Sequence, residues 1–267
     1  MTLWEILEKV RQNQPLVHCI TNPISINDCA NFILATGAKP IMAEHPSEVE
    51  EITCGADSLV INLGNITDVR IKSAEISAYT ADRLKIPFVI DIVGAACSGL
   101  RLDLAKRLIT SYHPSVIKGN ADEIAVLAGV KKQGRGVDAE ECKDYKALAH
   151  TARELAQKYS CTVLVSGAYD IITDGGRVFL CKNGNPLMAR ITGTGCIQGA
   201  LCGVCLSEAQ PFEAALCGAH LLGICGEMAY SDGIGTGTFR TKMQDAVSLI
   251  TKADFEGLIK QEEVNEV

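Results

Sequence analysis

The segment "RITGTGCIQGALCGVCL" places reactive groups on a turn. Gly193 and Gly195 flank Thr194, and the apolar run behind them reads as a helix. Glycines let the backbone bend tightly and expose successive N–H groups, and the helix that follows adds the positive end of its dipole. Gly193, Thr194 and Gly195 therefore form a candidate anion hole, suited to a transferring phosphoryl group whose charge spreads over its oxygens. Cys196 falls in the first helical turn, where the same dipole favours a thiolate. A group there that takes the proton of a substrate hydroxyl would be a general base.

Further candidates lie where apolar runs end. Asp91 closes "VIDIVG" and Glu123 stands in "KGNADEI". Carboxylates at strand ends hold Mg²⁺ near phosphates, usually through water. Asn120 and Glu123 also have the spacing of a capping box, and Glu123 can serve both purposes. Lys118 can meet a phosphate as a point charge. Ser166 can hydrogen-bond a phosphate oxygen, or merely finish its strand.

Familiar alternatives fail. There is no Gly-Lys dipeptide and hence no Walker-type loop. "GTGCIQG" departs from a dinucleotide fingerprint at Gln198 and comes late in the chain. Ser115 and Lys118 match Ser-x-x-Lys, but in a strand residues three apart face opposite sides. Cys202-x-x-Cys205 lacks a second ligand pair for zinc, so both thiols are expected in the core. The five histidines are scattered, and His18, His45 and His220 are read as structural.

The elements that must position these groups alternate. "SLVINLG" (58–64), "PFVIDIV" (87–93), "SVIKGN" (115–120) and "CTVLVSG" (161–167) read as buried strands ending in Gly, Asn, Asp or Val. Helices start between them at Ser47 with Glu50, at Thr67, and at Asn120 with Glu123. Gly175-Gly176 and Asn183-Gly184 are turn signals between late, antiparallel strands, and the chain after Gly195 reads mostly as helix. This is an α/β fold with a mostly parallel central sheet and helices on both faces, forming a single domain over 1–267. Ligands of such sheets bind beyond the carboxyl ends of the strands, where Asn62, Gly64, Asp91, Lys118, Asn120 and Ser166 cluster.

Composition narrows the classes. The net charge of −7 argues against nucleic acid and anionic membranes as partners. No apolar run approaches the roughly 20 residues that span a bilayer, and the N-terminal stretch lacks the order of a signal peptide. Twelve cysteines in a long, regular chain point to buried free thiols in a reducing compartment, so a cytoplasmic location is expected.

In order, "CITNPISIN", "PIMAEHPSEVEEI", "LVINLGNIT", "VIDIVGAACSGLR", "VIKGNADEI", "VLVSGAYDIITDGG", "ITGTGC" and "GTGTF" resemble hydroxyethylthiazole kinases of the ribokinase-like superfamily. The resemblance covers about 15–258. It implies ATP- and Mg²⁺-dependent phosphorylation of 4-methyl-5-(2-hydroxyethyl)thiazole in thiamine biosynthesis or salvage. Where most ribokinase-like enzymes carry an aspartate base, this branch carries cysteine, here Cys196. By resemblance, the thiazole side maps onto Met42 and Gly193, with Asn22 and Gly64 near the same pocket. ATP maps onto Lys118 and Ser166, and Mg²⁺ onto Asp91 and Glu123. A homotrimer with sites between subunits is also implied. The family usually has Arg where Lys118 stands, Thr where Ser166 stands, and Pro where Ile92 stands. Alternatives are a kinase for a hydroxymethylpyrimidine or pyridoxal, a superfamily hydratase-repair lyase, both expecting Asp at 196, or a non-catalytic thiazole- or nucleotide-binding protein.

Overall fold

Central strands buried at nearly every position, with alternate side chains turned to opposite faces, place the sheet between two helical layers. The computed structural model describes residues 1–130 and 145–264. The chain runs through α1 (Leu3–Asn13), β1 (Leu16–Ile20), α2 (Ile26–Thr36), β2 (Lys39–Ile41), α3 (Val49–Cys54) and β3 (Ser58–Asn62). It continues through α4 (Asp68–Leu84), β4 (Phe88–Asp91), α5 (Gly99–Tyr112), β5 (Val116–Asn120), α6 (Ala121–Leu127), α7 (Tyr145–Tyr159) and β6 (Thr162–Ser166). Then come β7 (Asp170–Thr173), β8 (Val178–Cys181), a 3-10 turn (Pro186–Arg190), α8 (Thr194–Leu206), α9 (Pro211–Ala229), α10 (Thr236–Leu249), α11 (Lys252–Leu258) and β9 (Gln261–Glu263).

The strands form one sheet in the order β2-β1-β3-β4-β5-β6-β7-β8-β9. Pairing is parallel from β2 to β6 and antiparallel from β6 to β9. Val60, Val89 and Val116 point to the face covered by α1, α2 and α8 to α10. Leu59, Ile61, Phe88, Ile90 and Ile117 point to the other face, under α4 to α7. Each fully buried large side chain, such as Phe32 or Phe88, contributes roughly 1.5–3 kcal/mol.

This alternation aligns the chemistry. Asn62 pairs with Asp91 and Asp91 with Lys118 across neighbouring strands. All three lie two residues beyond Val60, Val89 and Val116, so they share the α8 face at the carboxyl edge of the sheet. Gly195, Gly199 and Gly203 recur every fourth residue on α8 and face this row. An added β-carbon would lie 3.2 Å from Lys118 Nζ at Gly195, 3.3 Å from Asp91 Oδ2 at Gly199, and would collide with Val60 Cγ2 at Gly203. The missing side chains let the helix settle on the sheet.

Two expected local features differ. The helix expected at Ser47 starts at Val49 instead, after Glu48, with no side-chain cap. Glu48 Oε1 accepts from the His45 N–H at 3.3 Å, which holds 45–48 as a turn. Asn183-Gly184 leads into the 3-10 turn rather than into a hairpin. The Asn183 side chain donates to Leu258 O (2.8 Å) and accepts from the Lys260 N–H (2.9 Å), tying this bend to the terminal segment that supplies β9. The short β1 and β2 were not among the expected strands. No helix of the described residues is long and apolar enough to cross a membrane.

Candidate active site

Helix α8 begins without a side-chain cap. Gly193 takes φ 91°, the left-handed region that favours glycine. Its added β-carbon would stand 3.0 Å from Ser25 Cβ at the start of α2. By contrast α1, α6 and α11 each open on a capping box. Thr194 turns its hydroxyl backward, toward Ile191 O (2.8 Å) and Met188 O (3.0 Å), which pins the loop and leaves the first-turn N–H groups directed outward. Gly195 is exposed and Cys196 half-buried.

A chain of side-chain bonds starts from Cys196. Asn22 Nδ2 donates to Cys196 Sγ at 3.2 Å and to Asn62 Oδ1 at 3.2 Å. Asn62 Nδ2 donates to Asp91 Oδ2 at 2.9 Å, and Lys118 Nζ reaches the same oxygen at 3.2 Å. The Gly64 N–H donates to Asn62 Oδ1 at 2.9 Å. Asn22 follows β1, and Met42 follows β2 at the same edge, half-buried.

Burial pushes the Asp91 carboxyl up to about 6; the Lys118 charge opposes this and the Glu123 charge adds to it. Burial works against the Lys118 ammonium, but the Asp91 carboxylate outweighs it and holds its pKa above the ordinary lysine value. Asp91 Oδ1 is buried and has no protein partner. Glu123 accepts from the Gly94 N–H at 2.7 Å and from the Asn120 N–H at 2.8 Å, so backbone donors engage both of its oxygens. Ser166 Oγ donates to Gly119 O at 3.4 Å. A second buried pair flanks α8, Gln198 Nε2 donating to Asp170 Oδ2 at 2.6 Å.

The model of the hydroxyethylthiazole kinase family matches residues 7–253. The chain belongs to that family. Hydroxyethylthiazole kinase 2 of Clostridium botulinum (strain Hall) is 44% identical over 246 residues, covering 90% of this chain and 92% of its relative. The solved hydroxyethylthiazole kinase of Pyrococcus horikoshii OT3 is 34% identical with a TM-score of 0.90, covering 98% of this chain and 99% of that one. A ribokinase-like superfamily protein of Enterococcus faecalis, at 16% identity and a TM-score of 0.68 over 93% of both chains, shares the fold.

The structure of the chain brings most of the expected residues to one edge. Gly193 to Cys196, Asn22, Gly64, Asp91 and Lys118 are linked by contacts, while Ser166 stands beside Asn120 in the register. The expected structural residues behave as such. His18 is buried and bonded to Thr53 Oγ1 and Ala43 O, and His220 to Asn183 and Gln261. Cys202 and Cys205 are fully buried, and the cysteines of the described residues are free thiols. Residue types and spacing did not reveal the bridging role of Asn62 or the Asp170–Gln198 pair. The signal for Asn62 was its place at a strand end beside Asp91; Asp170 carried none.

Proposed function

We propose that this chain transfers the γ-phosphoryl group of ATP to the primary alcohol of 4-methyl-5-(2-hydroxyethyl)thiazole, with Mg²⁺, returning the product to thiamine synthesis. The observation that carries this reading is Cys196, half-buried on the uncapped first turn of α8 and held by Asn22 Nδ2 at 3.2 Å.

The residues divide the work. The N–H groups around Gly193, Thr194 and Gly195 receive the transferring group, with the Lys118 ammonium beneath Gly195 supplying fixed positive charge. Cys196 lies beside the acceptor oxygen and takes its proton as transfer proceeds. A cysteine accepts that proton only as its thiolate and is a modest base at neutral pH, so positioning contributes much of the rate. Asn22, Gly64, Met42 and Gly193 border the thiazole, and Lys118 and Ser166 the nucleotide.

The donor set fits a hydrated Mg²⁺. Asp91 Oδ1 is a buried carboxylate oxygen with no protein partner, and Mg²⁺ typically keeps waters and uses one or two carboxylates beside phosphates. Asp91 would hold it directly, and Glu123, its oxygens already on backbone N–H groups, through water. When bound, the ion offsets phosphate charge. The enzyme would work in the cytoplasm, with 1–267 as one domain, in a homotrimer whose sites lie between subunits; sedimentation velocity tests that assembly.

The deciding experiment is ADP release with ATP and Mg²⁺, supplied with hydroxyethylthiazole, hydroxymethylpyrimidine, pyridoxal or no acceptor. Release with the thiazole alone supports the proposal. Turnover of another acceptor overturns the substrate, and tight thiazole binding without turnover identifies a binding protein.

A further inference from the structure

The bonds around Asn62 admit one arrangement of its amide. Asp91 Oδ2, a carboxylate oxygen, can only accept, so the atom facing it at 2.9 Å is Nδ2. Asn62 Oδ1 then faces two donors, the Gly64 N–H at 2.9 Å and Asn22 Nδ2 at 3.2 Å. The Asn22 amide is oriented in turn. Its Oδ1 accepts from the N–H groups of Ile24 (3.1 Å) and Ser25 (3.2 Å), so its Nδ2 carries one proton to Asn62 and the other to Cys196 Sγ.

Asn62 is 5% exposed and 40 residues from Asn22 in sequence, so the link exists only through the fold. It joins groups on opposite sides of the proposed transfer. Asp91 and Lys118 stand on the nucleotide side, and Asn22 and Cys196 on the acceptor side. No other side chain of the described residues is seen to bond both Asn22 and Asp91.

We propose that Asn62 is a positioning residue for phosphoryl transfer: anchored on Asp91, it holds the Asn22 amide so that one N–H is presented to Cys196 Sγ. This rests on the reading that Cys196 lies beside the acceptor oxygen. Both proton uptake and alkylation run through a charged sulfur, and the N–H aimed at Sγ gives that form a hydrogen bond. Without Asn62, the Asn22 side chain keeps its backbone bonds at Oδ1 but loses the contact at its Nδ2 end, so the amide as a whole can swing away from Sγ.

The test pairs kinetics with a direct probe of the sulfur. Iodoacetamide alkylation at pH 7.5 is followed peptide by peptide in the full chain carrying Asn62→Ala, Asn22→Ala, or both. Cys54 and Cys97 are exposed free thiols and serve as internal controls. In Asn62→Ala, Cys196 alkylation is expected to slow about fivefold with the control thiols unchanged, and kcat to fall about tenfold with the KM for ATP within about threefold. The double variant is expected to match Asn22→Ala alone, because Asn62 reaches Cys196 only through the Asn22 amide.

Unchanged Cys196 alkylation in Asn62→Ala, or additive effects in the double variant, would overturn the proposal whatever happens to activity. Slowed alkylation with unchanged kcat would overturn the catalytic part. Cys196→Ala in the same panel separates the two failures. Full activity in Cys196→Ala rejects the reading of Cys196, whereas reduced activity there with unchanged kcat in Asn62→Ala rejects Asn62 alone.

Discussion

Gly199 lies directly over Asp91, close enough that a β-carbon at 199 would come within 3.3 Å of Oδ2. The carboxylate is held from below by Asn62 and Lys118, so α8 and the polar row behave as one packed unit. One turn further along, Gly203 meets Val60, and its carbonyl accepts from Ser58 Oγ at 2.7 Å. Gly203→Ala should cost about 1–3 kcal/mol through overpacking. Val60→Ala on its own opens a cavity, so the double variant should lose less than the summed single losses. Urea unfolding of the four chains measures that coupling, and strict additivity would refute the contact.

Cys196 should be important without being irreplaceable. Cys196→Ala is expected to lower kcat about a hundredfold, the low end for a lost general base, and Cys196→Asp to keep or raise it. ADP release with the thiazole alcohol provides the readout. An Ala variant at full rate would remove the thiol from the reaction.

Lys118 and Asp91 should fail differently alone and together. Lys118→Met leaves a buried carboxylate without its cation, which should cost roughly 3 kcal/mol and raise the KM for ATP. Adding Asp91→Asn removes the orphaned charge, so thermal stability should largely return while activity stays lost. Activity recovered along with stability would show that the pair only supports the fold.

Asp170 predicts a pH dependence. Burial pushes its carboxyl from an ordinary value of 3.8 up to about 6, against the pull of the Gly167 N–H, the Gln198 amide and the Lys118 charge. A folded-state pKa above the unfolded one contributes stability that is complete below about 4 and is lost as pH rises through about 6. Asp170→Asn keeps an acceptor for Gly167, and Gln198 can turn its unpartnered Oε1 to the new amide. The variant should therefore gain about 1–3 kcal/mol on the wild type between pH 5 and pH 8. Denaturant midpoints at both pH values measure it, and a gap that does not change with pH contradicts it.

Local grammar carried much of this protein. The Gly193–Cys196 turn, the Asn120–Glu123 box, the Thr67 start and the late antiparallel strands depend on neighbours in sequence, so residue types and spacing alone determined them. Core cysteines followed from composition in the same way. The three-residue β2 was too short to announce itself, and Ser47 lost the helix start to a local bond between Glu48 and His45. The site's connectivity was decided only by tertiary structure. Asn22 and Cys196 are 174 residues apart, and Gln198 reaches Asp170 from another element. The sheet register sets Asn62, Asp91 and Lys118 in one row, and the glycines of α8 let that helix come down onto it. Turn and cap preferences are short-range energies written into consecutive residues; which side chains meet across layers depends on packing, to which the whole chain contributes at once.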